Sequence, residues 1–101
     1  MARSRIDIPM EQIRLFCRKW KVVEFSLIGS VLRDDFRPDS DIDVLISFAG
    51  SARWSLYDIV DMKDELKRIF GREVDLVEKE AIRNPYRLRS MLTEQEVLYA
   101  A

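Results

Sequence analysis

Residues 28–43 read Ile-Gly-Ser-Val-Leu-Arg-Asp-Asp-Phe-Arg-Pro-Asp-Ser-Asp-Ile-Asp, and the rest of the chain is organised around them. A β-rich run from Val22 to Ile28 leads into Gly29 and Ser30, and ten residues then separate Ser30 from Asp41. Glycine lets the backbone approach a ligand closely, and a serine at the start of a helix can offer its hydroxyl and nearby N–H groups to phosphate. The stretch therefore predicts a phosphate-binding turn after the first strand.

Asp41 and Asp43 stand two positions apart in the run that predicts the second strand, Asp41 to Phe48. Residues two apart in a strand leave the same face, so both carboxylates point away from the core side of Ile42 and Val44. Two like charges about 7 Å apart are tolerated most easily with a cation between them. Because Mg²⁺ and a nucleoside triphosphate need such carboxylates, we predict metal binding at this pair. The alternative is a pair of strand-end caps that keep an edge soluble.

The remaining pattern predicts one small α/β (α+β) domain over residues 1–101, with helices packed on a mixed sheet. A first helix after Pro9 would bury Met10, Ile13, Phe16, Cys17 and Trp20, and a later one would bury Leu56, Ile59, Val60, Leu66, Ile69 and Phe70. Further helices are predicted over Ser30 to Phe36 and from Asn84 and Pro85 onward. The tail, Glu96 to Tyr99, could finish that last helix or form an edge strand.

The third predicted strand, Glu73 to Glu78, carries an acidic residue in its interior. Val74 and Leu76 would face the core, so Glu73 and Asp75 would face the other way. If this strand lies beside the second one, Asp75 can face Asp41 and Asp43 across the sheet. Asp75 is therefore the candidate for a third carboxylate, and Glu73, at the start of the strand, is its rival.

These residues carry a family resemblance. Gly29-Ser30, ten residues and then Asp41-Ile42-Asp43 resemble the signature of the DNA polymerase β-like nucleotidyltransferase superfamily. The string through Arg33 and Arg37-Pro38-Asp39-Ser40 looks like its smallest members, the minimal nucleotidyltransferases, which are commonly antitoxins paired with HEPN-type ribonuclease toxins. Many relatives have a small residue and then Arg-Gly after Gly-Ser. This chain instead has Leu32, Arg33 and Asp34, a departure that concerns the short helix more than the metal site.

The resemblance implies a site and a reaction. It implies metal-binding and catalytic roles for Asp41, Asp43 and Asp75, and nucleotide-binding roles for Gly29, Ser30 and Arg33. Two Mg²⁺ ions would align ATP, and the third aspartate would help to activate the attacking hydroxyl. AMP would pass to a tyrosine of a HEPN toxin, with which the chain would form a hetero-oligomer. The alternatives are an antitoxin that acts only by binding, and nucleotidyl transfer to a small molecule or an RNA end with a partner subunit.

Charge and composition limit the classes of partner that we expect for this chain. The chain has 101 residues, of which 48% are apolar and 35% charged, and its formal charge is −1 from 17 basic and 18 acidic side chains. Proteins that grip a nucleic-acid backbone usually have a basic excess, so we do not expect direct nucleic-acid binding. Arg83, Arg87 and Arg89 form a local basic cluster, which is either solvated or meets phosphate or an acidic partner surface.

Cysteine and histidine usage excludes several kinds of site. One cysteine, Cys17, rules out an internal disulfide framework, and the absence of histidine argues against a conventional zinc site. With no histidine to activate it, Cys17 is interpreted as a small core residue. No apolar run reaches the ~18 residues of a membrane span and no signal-peptide pattern is present, so we expect a cytoplasmic protein without a membrane contact.

Overall fold

The computed structural model describes residues 8–32 and 41–101, and only the backbone of Ser30 and Val31. Its elements are α1 (Met10–Lys19), β1 (Val22–Ile28), a 3-10 helix (Gly29–Leu32), β2 (Ile42–Phe48), α2 (Leu56–Phe70), β3 (Val74–Glu78), a second 3-10 helix (Lys79–Ala81), α3 (Pro85–Thr93) and β4 (Gln95–Ala100). None of the helices in these ranges is long and apolar enough to cross a membrane.

The strands form a mixed sheet in the order β3-β2-β1-β4. β1 is antiparallel to both β2 and β4, whereas β3 runs parallel to β2. The parallel pair is possible because α2 supplies the long crossover connection that parallel neighbours need. The predicted mixed sheet is confirmed, and the C-terminal tail forms an edge strand instead of extending α3.

One face of the sheet carries the main core. α1 places Ile13, Phe16 and Cys17 against it, and α2 adds Met62 and Leu66, all of them buried. The strands meet these helices with alternating apolar side chains, namely Phe25, Leu27, Ile42, Val44, Ile46 and Val74. The predicted stripe on the first helix and the core position of Cys17 are therefore confirmed. Burial raises the pKa of the Cys17 thiol to about 12, which keeps it protonated and unreactive at neutral pH.

The predicted buried face of α2 is wrong at two positions. Leu56 is 83% exposed and Val60 is 55% exposed. Successive helical residues are rotated by about 100°, so Val60 lies about 200° around the helix from the buried Met62, and Leu56 about 120° from it. Both ends of the helix carry capping features. Ser55 and Asp58 form a capping box at the start, and Gly71 ends the helix with a positive φ of 70°.

The second face of the sheet, defined here by Ser26, Ile28, Asp43, Leu45 and Asp75, leads to the candidate site. Register pairs Ser26 with Leu45, and both are buried. At the far end of this face, the second 3-10 helix is held by two polar contacts. The Lys79 ammonium donates to the Glu24 carboxylate at 3.2 Å, and the Ser47 hydroxyl donates to Glu80.

Candidate active site

The site is built at the sheet end where β1 finishes and β2 and β3 begin. Asp43 is the register partner of Ile28 on one side and of Asp75 on the other. Directly paired residues share a face, so Asp43 and Asp75 lie next to each other on the second face. The predicted adjacency of the second and third strands, and with it the predicted orientation of Asp75, is therefore confirmed.

Gly29 closes this end of the sheet against Asp43. Its φ is +77°, a conformation that L side chains rarely adopt. A Cβ at this position would lie 3.3 Å from Cγ of Asp43 and closer still to Oδ2. A side chain would occupy the space that the carboxylate fills, so glycine is required here both by backbone conformation and by close approach. The turn that was predicted to bind phosphate thus contacts the predicted metal ligand directly.

Asp41 lies one residue before β2, which begins at Ile42 and not at Asp41 as predicted. It is exposed, and the following backbone N–H, that of Ile42, donates to the carbonyl of Glu73 at 2.9 Å. The rival carboxylate of Glu73 has a different partner, because it forms an ion pair with Lys67 of α2. The hydrogen bond and the charge of Glu73 raise the pKa of Lys67. Glu73 is thus engaged with α2, whereas Asp75 pairs with Asp43.

The other two predicted nucleotide-binding residues are described less fully. Ser30 lies in the 3-10 helix Gly29–Leu32, which occupies the start of the predicted helix Ser30 to Phe36. The side chain of Ser30 and the whole of Arg33 fall outside the described part of the chain. Their predicted roles remain predictions.

Within residues 8–32 and 41–101, no group of three His, Cys, Asp or Glu side chains is arranged to hold a metal ion. Asp41 and Asp75 are exposed. They lie at the same end of the sheet as Asp43, but the three carboxylates do not converge on a common position. The donor chemistry nevertheless fits magnesium, because Mg²⁺ binds through one or two carboxylates together with waters and substrate phosphates. The missing side chain at Gly29 leaves room for the Asp43 carboxylate at this position.

Sequence reasoning missed Gln95. It is the register partner of Ile28 and so belongs to the same row of residues as Asp43 and Asp75. Its amide Nε2 donates to the carbonyl of Leu92 at 3.3 Å, while its buried Oε1 has no hydrogen-bond partner among the described residues. The row depends on which strand pairs with β1, and no local pattern in the tail indicates that.

Comparison with known proteins decides the family. The nucleotidyltransferase domain family matches residues 10–98, nearly the whole chain. This chain belongs to that family. A chain of Methanocaldococcus jannaschii provisionally named a protein adenylyltransferase is 33% identical over 93 residues, which cover 92% of this chain and 91% of that one.

Two solved structures share the fold of this nucleotidyltransferase domain. A toxin–antitoxin crystal structure with AMP-PNP matches with a TM-score of 0.74 and 18% identity, covering 93% of this chain and 75% of that one. A complex of tri-AMPylated HEPN toxin from Shewanella oneidensis with its MNT antitoxin matches with a TM-score of 0.66 and 18% identity, covering 91% of this chain and 70% of that one. At these identities the likeness establishes the α/β nucleotidyltransferase fold expected from the sequence.

Proposed function

We propose that this nucleotidyltransferase domain is an antitoxin that transfers AMP from ATP to a tyrosine hydroxyl of a HEPN-type ribonuclease toxin. The similar chain of M. jannaschii is named for protein adenylylation, and the S. oneidensis structure contains an AMPylated HEPN toxin beside its antitoxin. AMP-PNP in the other matched complex supports a nucleoside triphosphate as donor. A toxin that cleaves cellular RNA acts in the cytoplasm, and we place this antitoxin there with it.

One observation carries the proposal. Gly29, with its positive φ, contacts the carboxylate of Asp43, and Asp43 pairs in register with Asp75. The turn that we propose to bind phosphate and two of the three proposed metal ligands thus lie at one end of one sheet, which supports the proposal. Nucleotidyl transfer needs both, because catalysis of phosphoryl chemistry consists mainly of positioning and charge stabilisation.

Each proposed residue has a distinct task. Asp41, Asp43 and Asp75 would hold two magnesium ions, which when bound neutralise charge on the phosphates. The backbone at Gly29 and the Ser30 hydroxyl hold the β and γ phosphates, and Arg33 supports the triphosphate or the loop.

The chemical step is an in-line displacement at the α-phosphorus. The tyrosine oxygen forms a bond to that phosphorus, the bond to the oxygen bridging the α and β phosphates breaks, and pyrophosphate leaves with the bonding pair. The phenolic proton passes to the Asp75 carboxylate, which must lie within hydrogen-bond reach of it in the complex.

The deciding experiment separates an enzyme from an antitoxin that only binds. This chain, ATP and Mg²⁺ are incubated with the HEPN protein that we expect the neighbouring gene to encode, and the intact mass of that protein is measured. We expect one or more additions of about 329 Da each, together with loss of ribonuclease activity. Asp41→Ala should bind the toxin but add no mass. If Asp41→Ala silences the toxin as well as the wild type does and no mass is added, the enzymatic proposal is wrong. Addition of AMP to an RNA end or a small molecule would identify another acceptor.

A further inference from the structure

Helix α3 presents an apolar face that the rest of the described chain leaves uncovered. A groove of about 590 Å³ runs along it and is lined by Pro85, Tyr86, Leu88, Arg89, Leu92 and Thr93. The spacing of Pro85, Leu88 and Leu92 makes one continuous stripe along the helix. No residue of α3 is buried, Tyr86 is 81% exposed and Leu92 is 36% exposed.

The start of α3 is nevertheless well capped, so the exposure of its first turn does not reflect a frayed helix end. The Asn84 side chain accepts hydrogen bonds from the backbone N–H groups of Tyr86 and Arg87 at 2.9 and 3.2 Å. Pro85 occupies the first turn, where its missing N–H costs nothing. A well-capped helix with an open apolar stripe is a ready surface for another helix.

The charge near the groove indicates the chemistry of a partner that would bind there. Arg83, Arg87 and Arg89 lie on or beside α3, which contains no acidic residue, and none of them makes an ion pair with a described residue. This local charge of +3 stands against a formal charge of −1 for the whole chain. Of the three, Arg89 lines the groove, whereas Arg83 and Arg87 line a separate pocket together with Glu78. Arg87 lies about 160° around the helix from Pro85, on the side away from the stripe. An apolar stripe with Arg89 at its edge complements an amphipathic helix that carries acidic residues beside its own apolar stripe.

The groove ends close to the candidate active site. The carbonyl of Leu92, in the last turn of α3, accepts a hydrogen bond from the Gln95 amide. Gln95 pairs with Ile28 on one side, and Ile28 pairs with Asp43 on the other. Adjacent strands are about 4.8 Å apart, so Gln95 and Asp43, two strands apart, are separated by about 10 Å across the sheet. Three extended residues span that distance, so a segment leaving the groove could reach the second face.

From these observations we infer that the α3 groove is the docking surface for the acceptor protein, and that it takes an amphipathic helix of that protein with acidic residues beside its apolar stripe. This inference rests on the proposed function, because it assumes that the acceptor is a protein. The docked helix holds the acceptor at α3 while the segment that follows it delivers the hydroxyl to Asp75. The groove therefore contributes to affinity for the acceptor and not to the grip on the nucleotide.

The test measures binding and transfer separately, with the full chain and the neighbouring HEPN protein. The variants are Leu92→Glu, which places a charge in the stripe, and Arg89→Glu, which reverses the charge that lines the groove. Leu56→Glu is the matched control, because Leu56 is an equally apolar side chain, 83% exposed, on α2. Circular dichroism establishes that each variant is folded.

We expect Leu92→Glu and the arginine reversal each to weaken toxin binding at least tenfold and to raise the KM for the toxin. The kcat at saturating toxin and the thermal shift caused by magnesium–ATP should match the wild type. Leu56→Glu should bind as the wild type does, and the contribution of Arg89 to toxin affinity should shrink as salt rises. Wild-type affinity in both α3 variants, or no binding of the toxin by the wild type, would overturn the docking surface.

The two proposals fail in different ways. Toxin binding that depends on Leu92 without any transfer of AMP would leave the docking surface standing and remove the enzymatic function. Transfer of AMP that is insensitive to substitution of Leu92 and of Arg89 would leave the enzymatic function standing and remove the docking surface. A third outcome is that Arg89 binds a short single-stranded RNA and that the toxin does not displace this RNA from α3. In that case the groove is not a protein-docking surface.

Discussion

The backbone of Gly29 lies directly against the carboxylate of Asp43, so that a Cβ on Gly29 would stand 3.3 Å from Cγ of Asp43. Thirteen residues separate the two positions along the chain, yet the β1–β2 pairing of Ile28 with Asp43 brings them together. The contact joins the turn that we propose to bind phosphate to Asp43 of the first carboxylate pair. A substitution at Gly29 should therefore displace the Asp43 carboxylate, and a substitution at Asp43 should alter the packing of the turn.

The first prediction tests that contact with a pair of glycine substitutions. Gly29 and Gly71 both have positive φ, +77° and +70°, but only Gly29 has a neighbour within 4 Å of its missing Cβ. Gly71→Ala should cost about 1 kcal/mol of stability from backbone strain alone and leave transfer intact. Gly29→Ala should cost more and abolish transfer, because the methyl group displaces the Asp43 carboxylate. Urea unfolding and a transfer assay measure both effects, and an active Gly29→Ala would contradict the geometry.

The second prediction distinguishes Asp75 from Glu73. Asp75 pairs in register with Asp43, whereas Glu73 is held in an ion pair by Lys67. Asp75→Asn should therefore abolish transfer and retain substantial nucleotide binding, since the turn and the first aspartate pair still grip the phosphates. Glu73→Gln should be nearly silent in the same assays. A fully active Asp75→Asn would mean that the site has a different third carboxylate.

The third prediction concerns magnesium–ATP. Asp43→Asn should remain folded but lose the rise in melting temperature that magnesium–ATP causes in the wild type, because an amide is a weaker ligand for a hard cation. Without metal, its melting temperature should equal or exceed that of the wild type, since one of two neighbouring like charges is removed. Thermal shift with and without magnesium–ATP checks this, and equal ligand-induced shifts in both proteins would argue against a metal role for Asp43.

The fourth prediction uses the buried thiol of Cys17. Its pKa is raised by burial from 9.0 to about 12, so above pH 9 the unfolded chain loses this proton before the folded one does. Its contribution to stability is constant below that pH and declines as the pH rises toward 12. Between pH 8 and pH 10 the wild type should therefore lose more unfolding free energy than Cys17→Ala. Parallel losses in urea titrations of the two proteins would mean that the thiol is not buried as described.

Period-two alternation was enough to predict the site-bearing strands. Val74 and Leu76 are apolar positions on either side of Asp75, and burying them fixes the direction of the carboxylate. The same reasoning placed Asp43 opposite the core positions Ile42 and Val44. Local chemistry also indicates where α2 stops, because Gly71 supplies the left-handed conformation that ends a helix.

Features that depend on which strands pair across the sheet, or on how a helix is rotated on it, could not be predicted from the sequence. Gln95 joins the row of Asp43 only because β4 pairs with β1, and nothing near residue 95 indicates that partner. The exposure of Leu56 and Val60 depends on how α2 is rotated on the sheet, which Met62 and Leu66 decide. Apolar residues around a helix do not by themselves indicate which of them will face the core.

The most direct test of the account follows the phosphates of ATP. This chain is mixed with its neighbouring HEPN protein, Mg²⁺ and ATP labelled at either the α or the γ phosphate, and label in the toxin is compared with pyrophosphate released. The account predicts that only the α label enters the toxin, on tyrosine, with one pyrophosphate released for each AMP added, and that Asp41→Ala and Asp43→Asn transfer none. Entry of the γ label, or a toxin that is silenced without any label, would contradict it.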